Sequence, residues 1–292
     1  MNSTHLLHTL LLVSVGVAST GTLLGADRTV DPTFLYRNLA TVDFVDADET
    51  TSSCHYRPLF GVGDEQSAIV KGVARFGELV VDPNGRCEVV SYAAEEQIYF
   101  VLEGQGSAVY RGKPVPIRKG DFMYFAPNSE HSAANDSSAP LRIVVMGFKV
   151  PSDGKYGMAV KLPIANETEA KNEVVGNHPA STLYQLLLGD TSSQRDLLSV
   201  GHTVTSLFIM EFAPGGTNFP HHHATEEEIY LVLDGGGDIV AGGGNDGVEG
   251  KHPAGPGDAY FYRLNATVGF YADATAGRKA YILAVRSRYP RN

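Results

Sequence analysis

Ten residues recur almost unchanged 131 positions apart: residues 95–104 read EEQIYFVLEG and residues 226–235 read EEEIYLVLDG. The same offset aligns Pro83, Asn84 and Gly85 with Pro214, Gly215 and Gly216. Further on, KGDFMYF at 119–125 pairs with PGDAYFY at 256–262, the offset having grown to 137. The added residues fall in the glycine-rich stretch 235–250, where lengthening a loop costs little. Each half then closes on an apolar run, 141–148 and 280–285. A chain built this way folds as two copies of one unit.

Within each unit the local signals are those of strands. Runs such as 98–102, 205–212 and 229–233 are short, rich in Val, Ile, Phe and Tyr, and bounded by Gly, Pro, Asn and Asp at intervals near ten residues. Only 181–188 and 193–200 hint at a helical period. The pattern predicts an all-β protein of two antiparallel barrels or sandwiches. The expected division is a leader at 1–26, a first barrel at 30–150, a polar linker at 151–179 and a second barrel at 180–290.

Residues 1–26 contain no Lys, Arg, Asp or Glu, and 6–17 form an apolar run ahead of small residues. This is the pattern of a secretory signal peptide, which places the mature protein outside the cytoplasm, secreted or periplasmic. An oxidising compartment permits a disulfide between the two cysteines, Cys54 and Cys87, with two free thiols as the alternative. Outside the leader, three Asn-x-Ser/Thr sequons lie at Asn135, Asn166 and Asn265. A net charge of −10 without any basic run argues against nucleic acid or an anionic membrane as partner once the leader is removed, and leaves a small molecule.

The densest chemical signal is GTNFPHHHATEEE at 216–228. In a strand, alternate side chains share a face, so His221 and His223 point one way and His222 the other. Two imidazoles one strand period apart form a pincer for a divalent metal, and a carboxylate from the next strand completes three ligands with the other side open. Glu228 is the candidate, because it directly precedes the apolar run 229–233, whereas Glu226 and Glu227 fall in the connection. Three adjacent histidines in a solvated loop are the bland alternative. The spacing of Gly, His-x-His, Glu and Gly on a repeated strand favours the metal.

These motifs resemble those of the cupins. Residues 215–235 look like the first cupin motif and Pro256, Gly257 and Asp258 open a stretch similar to the second, so most of the chain after the leader resembles a bicupin. The resemblance implies two jelly-roll barrels, with His221, His223 and Glu228 as first-motif ligands. The second-motif histidine position, counted from Asp258, holds Val268. His252, Tyr260 and Tyr262 are the candidates to replace it, and a two-histidine, one-carboxylate site is the other solution. In the first half the second-motif position holds His131, but the first-motif positions read Val90, Tyr92 and Gln97, so that barrel is expected to be metal-free and structural.

The implied function is a metal-dependent enzyme, an oxygenase or oxidoreductase acting on a small polar, oxygen-rich molecule with Mn, Fe, Ni or Zn in the second barrel. Tyr260, Tyr262 and Arg263 are the candidate catalytic residues, the phenols for proton transfer and the guanidinium to clamp a carboxylate. Isomerase, lyase, decarboxylase or ureidoglycine-type aminohydrolase chemistry is the alternative within the enzymes. A non-catalytic binding or storage cupin is the alternative outside them. Cupins pair barrels through edge strands, so a homo-oligomer is among the expected assemblies.

Overall fold

The computed structural model describes residues 32–64, 68–243 and 249–290; the expected leader and its cleavage site lie outside them. The described chain is all-β apart from one turn of 3-10 helix, Glu167–Glu169. No described helix is long and apolar enough to cross a membrane.

Each half makes one large and one small sheet. In the first half the large sheet runs in the order Ile164–Asn166, Asp121–Phe125, Glu95–Glu103, Leu141–Lys149, Val73–Val81, Cys54–Gly61. Its small sheet orders Lys113–Arg118, Gln105–Tyr110 and His131–Ala134. In the second half the large sheet orders Phe34–Asn38, Asp258–Tyr262, Glu226–Asp234, Ala280–Arg288, Val204–Phe212, Thr182–Asp190 and Asn172–Glu173, with Leu198–Gly201 alongside Thr182–Asp190. Its small sheet orders His221–His222, Thr267–Ala272, Gly237–Gly242 and Gly250–Ala254.

The strand period divides the core into three. On Glu226–Asp234, Tyr230 and Val232 point into the second barrel, while Ile229 and Leu231 point out, against the first. On Glu95–Glu103, Tyr99 and Val101 face the interior of the first barrel, and Ile98 and Phe100 join the shared seam. Both faces of both large sheets are therefore buried, which is why these strands read as continuous apolar runs and not as an alternation. The repeat extends to backbone conformation. Asn84 (φ 59°) and Gly215 (φ 73°) hold matched left-handed turn positions, which Asn and Gly occupy most readily.

Three features differ from the sequence expectation. The stretches 181–188 and 193–200, read as weakly helical, are instead the strand Thr182–Asp190 and the approach to Leu198–Gly201; burial between sheet neighbours overrides a faint period. The first strand, Phe34–Asn38, pairs with Asp258–Tyr262 of the second half, Phe34 opposite Tyr262 and Asn38 opposite Asp258. Tyr36 Oη and Asn38 Nδ2 both donate to Asp258 Oδ1, at 2.8 and 2.7 Å. Nor is 151–179 a bare connection, since Ile164–Asn166 edges the first sheet and Asn172–Glu173 the second.

Cys54 and Cys87 form a disulfide. Of the three sequons outside the leader, Asn135 is wholly buried, its side chain donating to the carbonyls of Val81, Asp82 and Ala139. Asn166 is also buried and caps the 3-10 turn. Only Asn265 is exposed.

Candidate metal centre

His221 enters the second barrel from the short strand His221–His222, His223 from the residue directly after it, and Glu228 from the large-sheet strand Glu226–Asp234. One donor atom from each lies within 4.8 Å of the others. His221 Nε2 stands 3.1 Å from His223 Nε2, and His223 Nε2 stands 3.0 Å from Glu228 Oε2. His222, as the period requires, points away and is exposed.

The orientation of His221 is fixed from behind. Its Nδ1 lies 2.8 Å from the Phe219 carbonyl and donates to it, which leaves the Nε2 lone pair aimed at the cluster. Phe219 presents that carbonyl from a left-handed backbone (φ 55°), an unfavourable conformation for a bulky residue and one found at sites that need a group precisely aimed. Burial pushes the His221 imidazole below its ordinary pKa, so it is neutral near pH 7, the form that ligates metal. Burial alone would raise Glu228, but the hydrogen bond and charge of His223, with Arg286 and His221, outweigh it and hold the carboxyl below the usual range. Two imidazole nitrogens and an ionised, buried carboxylate oxygen converging on one point suit a divalent transition metal.

The three donors open into a cavity of 130 Å³, whose wall includes His178, Tyr184, Arg195, Phe208, Tyr230 and Arg286. His178 comes from the connection between the halves; its Nδ1 lies 2.6 Å from the Asn218 carbonyl and its ring stands edge-on to His221. Arg195 comes from the loop before Leu198–Gly201. Arg286 lies beside Glu228 in the strand register.

The sequence-expected residues divide. Tyr262 is the cross-strand partner of Glu228 and is fully buried; its pKa is raised far above the ordinary phenol by burial and by the charge of Glu228, so it stays protonated. Tyr260 sits one strand period further on, among Phe34, Tyr36 and His252, and does not line the cavity. Arg263 does not line it either, because it follows the strand and its amide pairs with Thr33. His252 is held on Gly250–Ala254 opposite Ile239, away from the three donors. Val268 is the register partner of His221, just as His131 bridges to Val90 in the first barrel, so the counted positions coincide in space. Arg286, Arg195, His178 and Tyr184 were missed. For Arg286 the signal existed: Ala280, Ile282 and Ala284 alternate into the core, and 286 continues that face.

At the matching place in the first barrel a guanidinium stands where the second has its cluster. Arg75, almost wholly buried, lies 3.0 Å from Glu49 and 3.2 Å from Glu95, with its guanidinium 4.0 Å over the Tyr92 ring. Gln97 Nε2 donates to Glu95 at 2.6 Å, and His131 stacks on Phe125 with its Nε2 buried and unpartnered.

The cupin domain model matches residues 77–147 and again residues 208–279. The chain is a bicupin. Among solved structures, this bicupin is similar to protein YlbA from E. coli, with a TM-score of 0.66 at 17% identity over 92% of this chain and 97% of that one. It is also similar to a putative glyoxylate-induced protein of Pseudomonas aeruginosa, TM-score 0.67 at 18% identity over 91% and 93%. An oxalate decarboxylase of Lactobacillus farciminis gives 0.64 at 13% identity over 91% and 88%. In sequence, it is 28% identical over 81 residues to an uncharacterized protein of Methanocaldococcus jannaschii, a match spanning 27% of this chain and 65% of the relative.

Proposed function

We propose that this bicupin is an extracytoplasmic metal-dependent enzyme, an oxygenase or oxidoreductase acting on a small polar, oxygen-rich molecule, with its reaction centre in the second barrel. The observation that carries the reading is the convergence of His221, His223 and Glu228 beside a small cavity. Mn, Fe, Ni or Zn would suit these nitrogen and oxygen donors, and such an ion supplies Lewis-acid polarisation or, for Mn and Fe, a redox centre. That oxalate decarboxylases share the fold is compatible with a small oxygen-rich acid as substrate.

The chain's own residues do the rest. Phe219 holds the His221 ring in one tautomer and orientation. Glu226 Oε2 lies 3.8 Å behind His223 Nδ1 and adds negative charge there. Tyr184, Phe208 and Tyr230 wall the cavity and exclude water, and burial with the Glu228 charge keeps the Tyr184 phenol protonated, a hydrogen-bond donor at the ligand's edge. Export is supported by the apolar, uncharged run at 1–26 together with the Cys54–Cys87 disulfide.

Elemental analysis of untagged protein tests the centre. One equivalent of transition metal, lost in His221→Ala and in Glu228→Ala, followed by oxygen uptake with small hydroxy- and keto-acids, supports the enzyme. Protein that carries no metal and is indifferent to chelator would leave a binding or storage barrel. N-terminal sequencing of the mature protein tests the leader.

A further inference from the structure

We infer that the second barrel's cavity takes a small carboxylate seated on Arg286. The two barrels handle one arginine in complementary ways. On the first barrel's ladder Arg75 faces Gly147, and on the second barrel's ladder Ser206 faces Arg286. Arg75 and Ser206 are matched positions of the repeat, so each barrel places one guanidinium on the same rung, from opposite strands, with a small residue as its neighbour. A side chain at Gly147 would collide with Arg75 and Gln97, which shows how closely that rung is filled.

In the first barrel the guanidinium is answered from within the chain. Glu49, 1% exposed, brings its carboxylate from the loop before Cys54–Gly61 to within 3.0 Å of Arg75 Nη1. Tyr92 Oη donates to the same carboxylate at 3.4 Å. A carboxylate, a guanidinium and a phenol thus already form a complex inside one copy of the fold.

In the second barrel nothing among the described residues plays the part of Glu49. Among the described residues Arg286 meets a carboxylate only at Glu226, end-on and at the long distance of 3.5 Å, and its side chain is left 29% exposed. That side chain lines the cavity together with Arg195, Tyr184 and the three donors. A part-exposed guanidinium lining a small cavity is matched in shape and charge by a planar carboxylate. The volume of 130 Å³ falls below the roughly 300–1,000 Å³ of pockets for drug-sized ligands, so the carboxylate belongs to a molecule of a few non-hydrogen atoms. The inference deepens the proposed function, resting on it for the ligand's place beside His221, His223 and Glu228, but the recognition by Arg286 is separable from the metal.

The test is an NMR titration of ¹³C-labelled acetate, with acetamide as the neutral isostere, against zinc-loaded and metal-free protein, for wild type, Arg286→Met and Arg286→Lys. Zinc content and melting temperature are measured for each. The expected result is acetate binding without acetamide binding, weakened at least tenfold in Arg286→Met and less in Arg286→Lys, with zinc stoichiometry unchanged. Acetate binding that is undiminished in both variants, equal binding of acetamide, or no acetate binding to either wild-type form would overturn the inference. Failure of wild type to take zinc would refute the metal reading instead, and the metal-free titration would still decide the role of Arg286.

Discussion

Glu96 and Glu227 are exchanged across the seam between the barrels. Glu96, fully buried on the first barrel, accepts from the amides of His202, Thr203 and Val204 in the second, at 2.6–2.8 Å, and from Tyr124 Oη. Glu227, 1% exposed on the second barrel, accepts from the amides of Lys71 and Gly72 in the first, at 3.0 and 2.7 Å. Both the glutamates and their amide partners are 131 positions apart. The repeat therefore places a buried carboxylate clamp on each side of an otherwise apolar interface.

Removing either clamp leaves two or three amides, buried or part-buried, without their acceptor. Glu96→Ala and Glu227→Ala are each expected to lower stability by about 3 kcal/mol. Urea denaturation followed by tyrosine fluorescence measures it. A loss below about 0.5 kcal/mol for both would show that the seam is held by its apolar contacts alone.

Burial pushes the His131 imidazole down to about 4, the charge of Arg75 adding to the effect and the bond to the Ser129 carbonyl opposing it. The folded protein thus binds this proton less readily than the unfolded chain. The stabilisation is complete above pH 6.5 and is lost as the pH falls from there towards 4, on the order of 3 kcal/mol over the interval. His131→Gln should flatten the stability–pH curve between pH 6.5 and 4 relative to wild type. Parallel curves would show that the site admits a protonated imidazole after all.

Val268 stands opposite His221 and is 1% exposed. Val268→His places a third imidazole at the cluster and is expected to tighten zinc binding at least tenfold, read by competition with a chromogenic chelator. The metal-free variant should be less stable than wild type, because a polar ring then lacks its partner. Unchanged affinity would mean that position 268 does not reach the ion.

Closing a loop between positions 33 apart, the Cys54–Cys87 bridge restricts the unfolded chain by about 4 kcal/mol. Cys87→Ser should lose that amount in denaturant titration, and wild type should lose it under reducing conditions only. Equal midpoints with and without reductant would be inconsistent with a stabilising bridge.

How far the sequence could be read depended on whether the relevant physics was local. His221, His223 and Glu228 were legible because a two-residue period decides which side chains share a face, and the repeat marked where the strands lie. Gln97 and Val90 were legible as their counterparts for the same reason. The place of Arg286 in the site was not noticed, since a charged residue at the end of an apolar run reads as the strand running out into water. Tyr260 and Arg263 are near the second motif in sequence but do not line the cavity. One strand period separates Tyr260 from Tyr262, and that is enough to move it from beside Glu228 to the packing around Phe34. The sequon at Asn135 shows the converse: a valid local motif whose side chain is fully occupied by three carbonyls.

The pairing of Phe34–Asn38 with Asp258–Tyr262 makes the two barrels inseparable in time as well as in space. Phe34 leaves the ribosome early but can meet Tyr262 only after most of the chain has been made, so this pairing of the second barrel's sheet carries a large loop-closure cost. A gene cut within 151–179 yields no intact second barrel from its downstream piece, whose exposed edge strand would seek a partner in another chain. Supplying the missing strand as a separate peptide would be the way to make that half complete.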